Sequence, residues 1–124
     1  MYLLDTSALI ELSYGTELAY KIKELIGQEY TVITTISIEE FLVGIDETKF
    51  DIALSVFGAF HVYALDIESA IESAKIEREL KKNGKIIQRS NIFIAGICKR
   101  HNLELITCDE DFLRITSLRV RVIK

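Results

Sequence analysis

The chain has 124 residues, of which 49% are hydrophobic and 27% charged, with a formal net charge of −4. Such values describe a single globular domain over 1–124, able to bury roughly two-thirds of its unfolded surface, and they exclude a disordered class. No apolar run approaches the ~20 residues of a membrane span, and no basic start precedes an apolar N-terminal stretch. Neither insertion nor secretion is therefore expected, and the chain reads as cytoplasmic.

Met1-Tyr2-Leu3-Leu4 opens a strand over 2–5 that ends on Asp5. Thr6 and Ser7 begin a short helix over 6–13. Leu18, Ile22, Leu25 and Ile26 then fall on one side of an amphipathic helix over 16–26, closed by Gly27. Thr31-Val32-Ile33 is β-rich, and 37–45 reads as a helix with Ile38, Phe41, Leu42 and Ile45 at helical spacing and Thr35 or Ser37 as its cap. Residues 48–58 follow as a helix, His61 to Leu65 as a strand, and Asp66 to Asn83 as a long charged helix ending at Gly84. Ser90 caps and Asn91 opens an apolar helix through Cys98. Strands over 103–106 and 119–123 bring the count to five.

Strands alternating with helices of this length are βαβ units, hence an α/β fold with a mostly parallel sheet covered on both faces. In such sheets ligands bind in the crevice outside the strand carboxyl ends. Two acids stand at such tips: Asp5, and Asp109 after the apolar run Leu103-Glu104-Leu105-Ile106. Glu40 lies one turn into a helix that also starts at a strand end. A hard divalent cation such as Mg²⁺ or Mn²⁺ takes oxygen ligands, commonly one or two carboxylates completed by water and phosphate oxygens, so these three acids form a candidate metal site. Each also has a plainer explanation. Asp5 and Asp109 suit helix caps, and Glu40 beside Glu39 suits a solvated helix face.

Charge is divided along the chain. Residues 1–74 hold three Lys and Arg against thirteen Asp and Glu, a net of −10, whereas residues 75–124 hold twelve against six, a net of +6. That division suits an acidic pocket beside basic surface; the plainer alternative is solvated helix faces plus chance. The two cysteines, Cys98 and Cys108, lack CxxC spacing and a histidine pair, which argues against zinc and for buried free thiols. His61 and His101 read as a strand-edge and a helix-end residue.

Four short strings then acquire a joint meaning. Leu4-Asp5-Thr6-Ser7-Ala8-Leu9-Ile10 has an acid followed by small hydroxyl residues, and Ile36-Ser37-Ile38-Glu39-Glu40-Phe41-Leu42-Val43-Gly44 places Glu40 four residues ahead of a glycine. Ser90-Asn91-Ile92-Phe93-Ile94-Ala95-Gly96 starts a helix, and Leu105-Ile106-Thr107-Cys108-Asp109-Glu110-Asp111-Phe112 ends a strand in acids. In this order, across nearly the whole chain, they resemble the PIN domain family of metal-dependent ribonucleases, in particular the toxins of VapC-type toxin–antitoxin pairs. The resemblance implies a three-layer α/β/α fold with a five-stranded parallel sheet.

It also implies hydrolysis of an RNA phosphodiester by a metal-activated water, with Asp5, Glu40 and Asp109 holding Mg²⁺ or Mn²⁺ in one cleft and Asn91 as the fourth catalytic position at its rim. Thr6, Ser7 and Thr107 would orient phosphate or carboxylate through their hydroxyls. Lys81, Lys82, Lys85, Arg89 and Arg114 would grip the RNA backbone. The family normally carries an Asp where this chain has Asn91. An amide keeps one carbonyl oxygen for a cation but loses the charge, a loss that Asp111 would offset in part. Implied partners are RNA, a small antitoxin and a second copy of the chain in a homodimer, with the apolar residues around 42–60 as a surface for either protein. The competing reading is a degenerate PIN domain that binds RNA or a protein without cleavage.

Overall fold

The computed structural model describes all 124 residues. Five short strands, β1 (Tyr2–Leu4), β2 (Thr31–Thr34), β3 (His61–Tyr63), β4 (Glu104–Thr107) and β5 (Val120–Val122), form one sheet in the order β3-β2-β1-β4-β5. Every neighbouring pair is parallel. The chain starts in the middle strand, moves outward through β2 and β3, then crosses over to lay down β4 and β5. The strand order therefore reverses between β1 and β4, the point at which open α/β sheets form a crevice at their carboxyl edge.

Six helices make the connections: α1 (Thr6–Tyr14), α2 (Glu17–Ile26), α3 (Thr35–Val43), α4 (Phe50–Phe57), α5 (Ile67–Lys82) and α6 (Arg89–Arg100). Side chains alternate across a strand, and the core is sorted accordingly. Leu3, Val32 and Leu105 point into a layer shared with Ile76 and Leu80 of α5 and Ile94 and Ile97 of α6. Their neighbours Leu4, Ile33 and Ile106 point the other way, against Leu9 of α1, Ile22 of α2, Phe41 of α3 and Phe57 of α4. All six strand residues are fully buried. Runs of consecutive apolar residues are what a sheet covered on both faces demands.

Several boundaries differ from expectation for identifiable reasons. Thr34, rather than Thr35 or Ser37, caps α3, its Oγ1 accepting the Ser37 N–H at 3.1 Å. The last strand residue is thus itself the cap, with no loop between β2 and α3. The helix expected over 48–58 is a 3₁₀ turn at Glu47–Lys49 followed by α4. Ser90 does not cap α6, which begins at Arg89 behind Gln88 with no side-chain cap bond. A further 3₁₀ turn, Glu110–Arg114, follows β4.

Helices α5 and α6 cross closely because Gly96 has no side chain. A Cβ there would lie 1.8 Å from Ser73 Oγ and 2.7 Å from the Ser69 carbonyl oxygen. The same crossing lets Ser73 Oγ donate to the Ile92 carbonyl at 3.3 Å.

Candidate active site

Asp5 leaves β1 in an extended conformation and accepts the Ala8 N–H at 2.9 Å, which caps α1. The cap role and the site position coincide, since the side chain that closes the helix is the one at the strand tip. Ser7 Oγ donates to both carboxylate oxygens at 2.8 and 2.9 Å, and Thr107 Oγ1 donates to Oδ2 at 2.5 Å. Only 2% of Asp5 is exposed. Burial pushes its carboxyl above the usual carboxylate range; the bonds from Thr107, Ala8 and Ser7 oppose the shift and the charge of Asp109 adds to it.

Thr107 ties the two strand tips together, because its Oγ1 also accepts the Asp109 N–H at 2.9 Å. Asp109 spends Oδ1 on the Asp111 N–H at 2.9 Å, capping the 3₁₀ turn, and Oδ2 on the Asn91 side-chain amide at 3.2 Å. Glu40 is held from both sides. Thr6 Oγ1 donates to Oε1 at 2.5 Å and lies 2.9 Å from Ser37 Oγ, and Ser90 Oγ donates to Oε2 at 3.0 Å. Since Thr6 follows Asp5 and Ser90 precedes Asn91 in sequence, the contacts close a ring: Asp5, Thr6, Glu40, Ser90, Asn91, Asp109, Thr107 and back to Asp5.

The ring brings all four expected catalytic positions together, linked by hydroxyls rather than by direct approach of three acids. No group of three His, Cys, Asp or Glu side chains is close enough to cage a metal ion. Asn91 is 8% exposed and lies within the network rather than at a rim. The donor set nevertheless suits a hard divalent cation. Its atoms are oxygens, Asp5 and Asp109 could supply the one or two carboxylates that Mg²⁺ usually takes, and none of Asp5, Glu40 or Asp109 is paired with a basic side chain. A buried carboxylate with a like charge beside it and no protein cation is short of positive charge.

Other expected residues are placed differently. Asp111 turns its carboxylate to Arg114 at 3.4 Å and touches Asp109 only through its backbone N–H, so it adds no oxygen to the ring. Lys81 and Arg89 both reach Glu77, at 3.6 and 3.2 Å. Arg114 donates to the Ile86 carbonyl at 2.7 Å and shares a cleft with Lys85, while Lys82 belongs to the outer face of α5. His61 packs on Tyr30 and His101 on Tyr63, with ring centroids 4.2 and 3.8 Å apart.

Burial pushes the Cys98 thiol up to about 12, and burial with the charges of Asp5 and Glu11 also raises Cys108, so neither is a thiolate at neutral pH. Sequence reasoning missed Ser37 and Ser90 as members of the site. Ser37 had a legible signal, standing three residues before Glu40 and hence on the same helix face.

With this geometry in view, the comparisons converge. The family model described as "PIN domain" matches residues 2–118. Ribonuclease VapC1 of Methanocaldococcus jannaschii is 36% identical over 94 residues, covering 75% of this chain and 64% of that protein's length. Among solved structures, VapBC2 of Rickettsia felis bound to a promoter DNA fragment superposes with a TM-score of 0.84 at 20% identity, covering 99% of this chain and 98% of the other. A toxin–antitoxin complex from Klebsiella pneumoniae gives 0.82 at 24% identity, covering 98% and 97%. Fold, motif order and family model agree: the chain belongs to the PIN domain family.

Proposed function

We propose that this protein is a divalent-metal-dependent endoribonuclease, the toxin of a toxin–antitoxin pair, acting in the cytoplasm. One observation carries the reading: a buried, uncompensated Asp5 is joined through Thr107 to Asp109, inside a ring that also contains Glu40 and Asn91. Asp5 and Asp109 would hold Mg²⁺ or Mn²⁺, with Glu40 across the ring and the Asn91 carbonyl oxygen as the further oxygen donors. When bound, such an ion lowers the pKa of a water and offsets charge on a phosphate.

The chain's own residues do the rest. Ser7 and Thr107 fix the rotamer of Asp5, and Thr6 and Ser90 fix Glu40, so these hydroxyls orient carboxylates rather than a phosphate. Lys81, Lys85, Arg89 and Arg114, with Lys82 further out, supply counter-charge for RNA leaving the crevice.

The relative named a ribonuclease and the toxin–antitoxin structures support this reading. For the antitoxin, a hollow of about 330 Å³ lined by Tyr14, Phe41, Ile45, Ile52 and Val56 fits an apolar segment, and the exposed Val43, Ile52 and Leu54 extend that face for a second copy of the chain. The test is cleavage of single-stranded RNA with and without Mn²⁺, compared with Asp5→Asn. Metal-dependent cleavage that the substitution abolishes supports the proposal. RNA binding with no cleavage at any Mn²⁺ concentration gives the site to the non-cleaving reading, which the Asn91 amide spent on Asp109 favours.

A further inference from the structure

The basic residues of the second half of the chain are not spread evenly. Lys75, Arg78 and Lys82 recur on α5 at a spacing of three and four residues, which aligns them on one side of the helix. They span seven residues, about 10 Å along the axis. On the flank of this stripe a cleft of about 370 Å³ runs between α5 and residues 114–117, with Ile76, Leu80 and Ile115 as its floor. Lys75, Lys85, Lys99 and Arg114 stand along its walls. Its shape is set by the chain itself, since Lys99 Nζ donates to the Ser117 carbonyl at 2.7 Å and holds the 114–117 segment.

The only acids lining the cleft and the stripe are Glu72 and Glu79. Of these, Glu72 reaches Lys75 at 3.8 Å, whereas Arg78, Lys82, Lys85 and Lys99 have no carboxylate within ion-pair distance. On a chain of net charge −4, the cleft and stripe together are strongly positive. One wall of the cleft is linked to the acidic site, because Arg114 pairs with Asp111, whose N–H is bound to Asp109.

We infer that the RNA path begun at Lys85 and Arg114 continues through the cleft between α5 and residues 114–117 and over the stripe beside it, where Lys75, Arg78 and Lys99 carry the strand away from the acidic site along α5. The inference rests on the nuclease reading for its choice of RNA. Lysines on flexible stems without neighbouring aromatic side chains suit phosphates held by charge rather than bases read by stacking. The contact is therefore independent of sequence and sensitive to salt.

The test compares two single-stranded RNAs, one long enough to fill both site and cleft and one that fills the site alone, binding the full chain in EDTA so that no turnover intervenes. K75E/R78E, both at exposed positions, is expected to lower affinity for the long RNA about tenfold and to reduce the slope of log K against log salt by about 1 to 1.5. The ratio of long to short affinity falls with it. K75A/R78A gives a smaller change in the same direction, and matching thermal midpoints show that the fold is intact.

An unchanged ratio in both variants overturns the inference even when the parent cleaves RNA. A changed ratio in a chain that cleaves nothing leaves the cleft standing and removes the nuclease reading. Displacement of the long RNA by poly-aspartate at equal charge concentration overturns the choice of RNA and assigns the cleft to an acidic protein.

Discussion

Asp5→Asn separates stability from function in opposite directions. Asparagine caps a helix about as well as aspartate, so the Ala8 N–H keeps its acceptor. The amide nitrogen then faces the Ser7 and Thr107 hydroxyls, which rotate from donor to acceptor. What disappears is a charge held at 2% exposure beside Asp109. The expected result in EDTA at neutral pH is a gain of about 1 kcal/mol in urea unfolding, in the range typical of stabilising replacements at functional sites. Because burial raises the Asp5 pKa in the fold, its protonated form carries no penalty below the unfolded value of 3.8, and stability is lost as pH rises through the folded value. The gain should therefore vanish at about pH 3. Saturating Mn²⁺ inverts the order, since a ligand at a hundred times its Kd stabilises the parent by about 2.7 kcal/mol and Asp5→Asn gains little. A variant less stable than the parent at neutral pH in EDTA, or one that gains as much from Mn²⁺, refutes the reasoning.

Asn91→Asp replaces the amide that donates to Asp109 with a further carboxylate; it should tighten Mn²⁺ by about tenfold in calorimetry and speed cleavage, and unchanged affinity counts against a ligand role for position 91. Ser90→Ala frees one oxygen of Glu40, so metal affinity should fall several-fold with a stability change under about 1 kcal/mol, and Ser90→Thr should recover it. No recovery means that the Ser90 contact does not position Glu40. Gly96→Ala drives a methyl against Ser73 and Ser69 and should cost about 1–3 kcal/mol in urea unfolding; a cost below about 0.5 kcal/mol shows that α5 and α6 separate freely.

The parallel sheet and its order of helices were legible because periodicity changes from consecutive apolar residues in β1, β2 and β4 to helical spacing between them. Asp5, Glu40, Asn91 and Asp109 were legible as members of local strings, and the structure joins all four. What joins them was not. The Thr107 bond to Asp5 spans positions far apart in sequence, and the Ser90 bond to Glu40 links two helices, so neither leaves a local pattern. The division of charge was visible, but the places of its members were not. Lys75 and Lys99 enter one cleft only because α5 and α6 pack as they do, and Lys81 and Arg89 meet only because Glu77 stands between them.

The central place of β1 sets a timetable for biosynthesis. Strand β1 is flanked on one side by β4, which is translated long after it, and Asp5 receives its Thr107 bond from across 102 positions. A nascent chain that has released β1 through α3 carries Asp5 and Glu40 but lacks Thr107 and Asp109. Domains fold as units, and here the unit closes only when β4 docks against β1. The acidic ring is therefore absent while the chain is attached and short. It assembles only once Thr107 and Asp109 have cleared the ribosome, so completion of the acidic site and docking of β4 against β1 are one event.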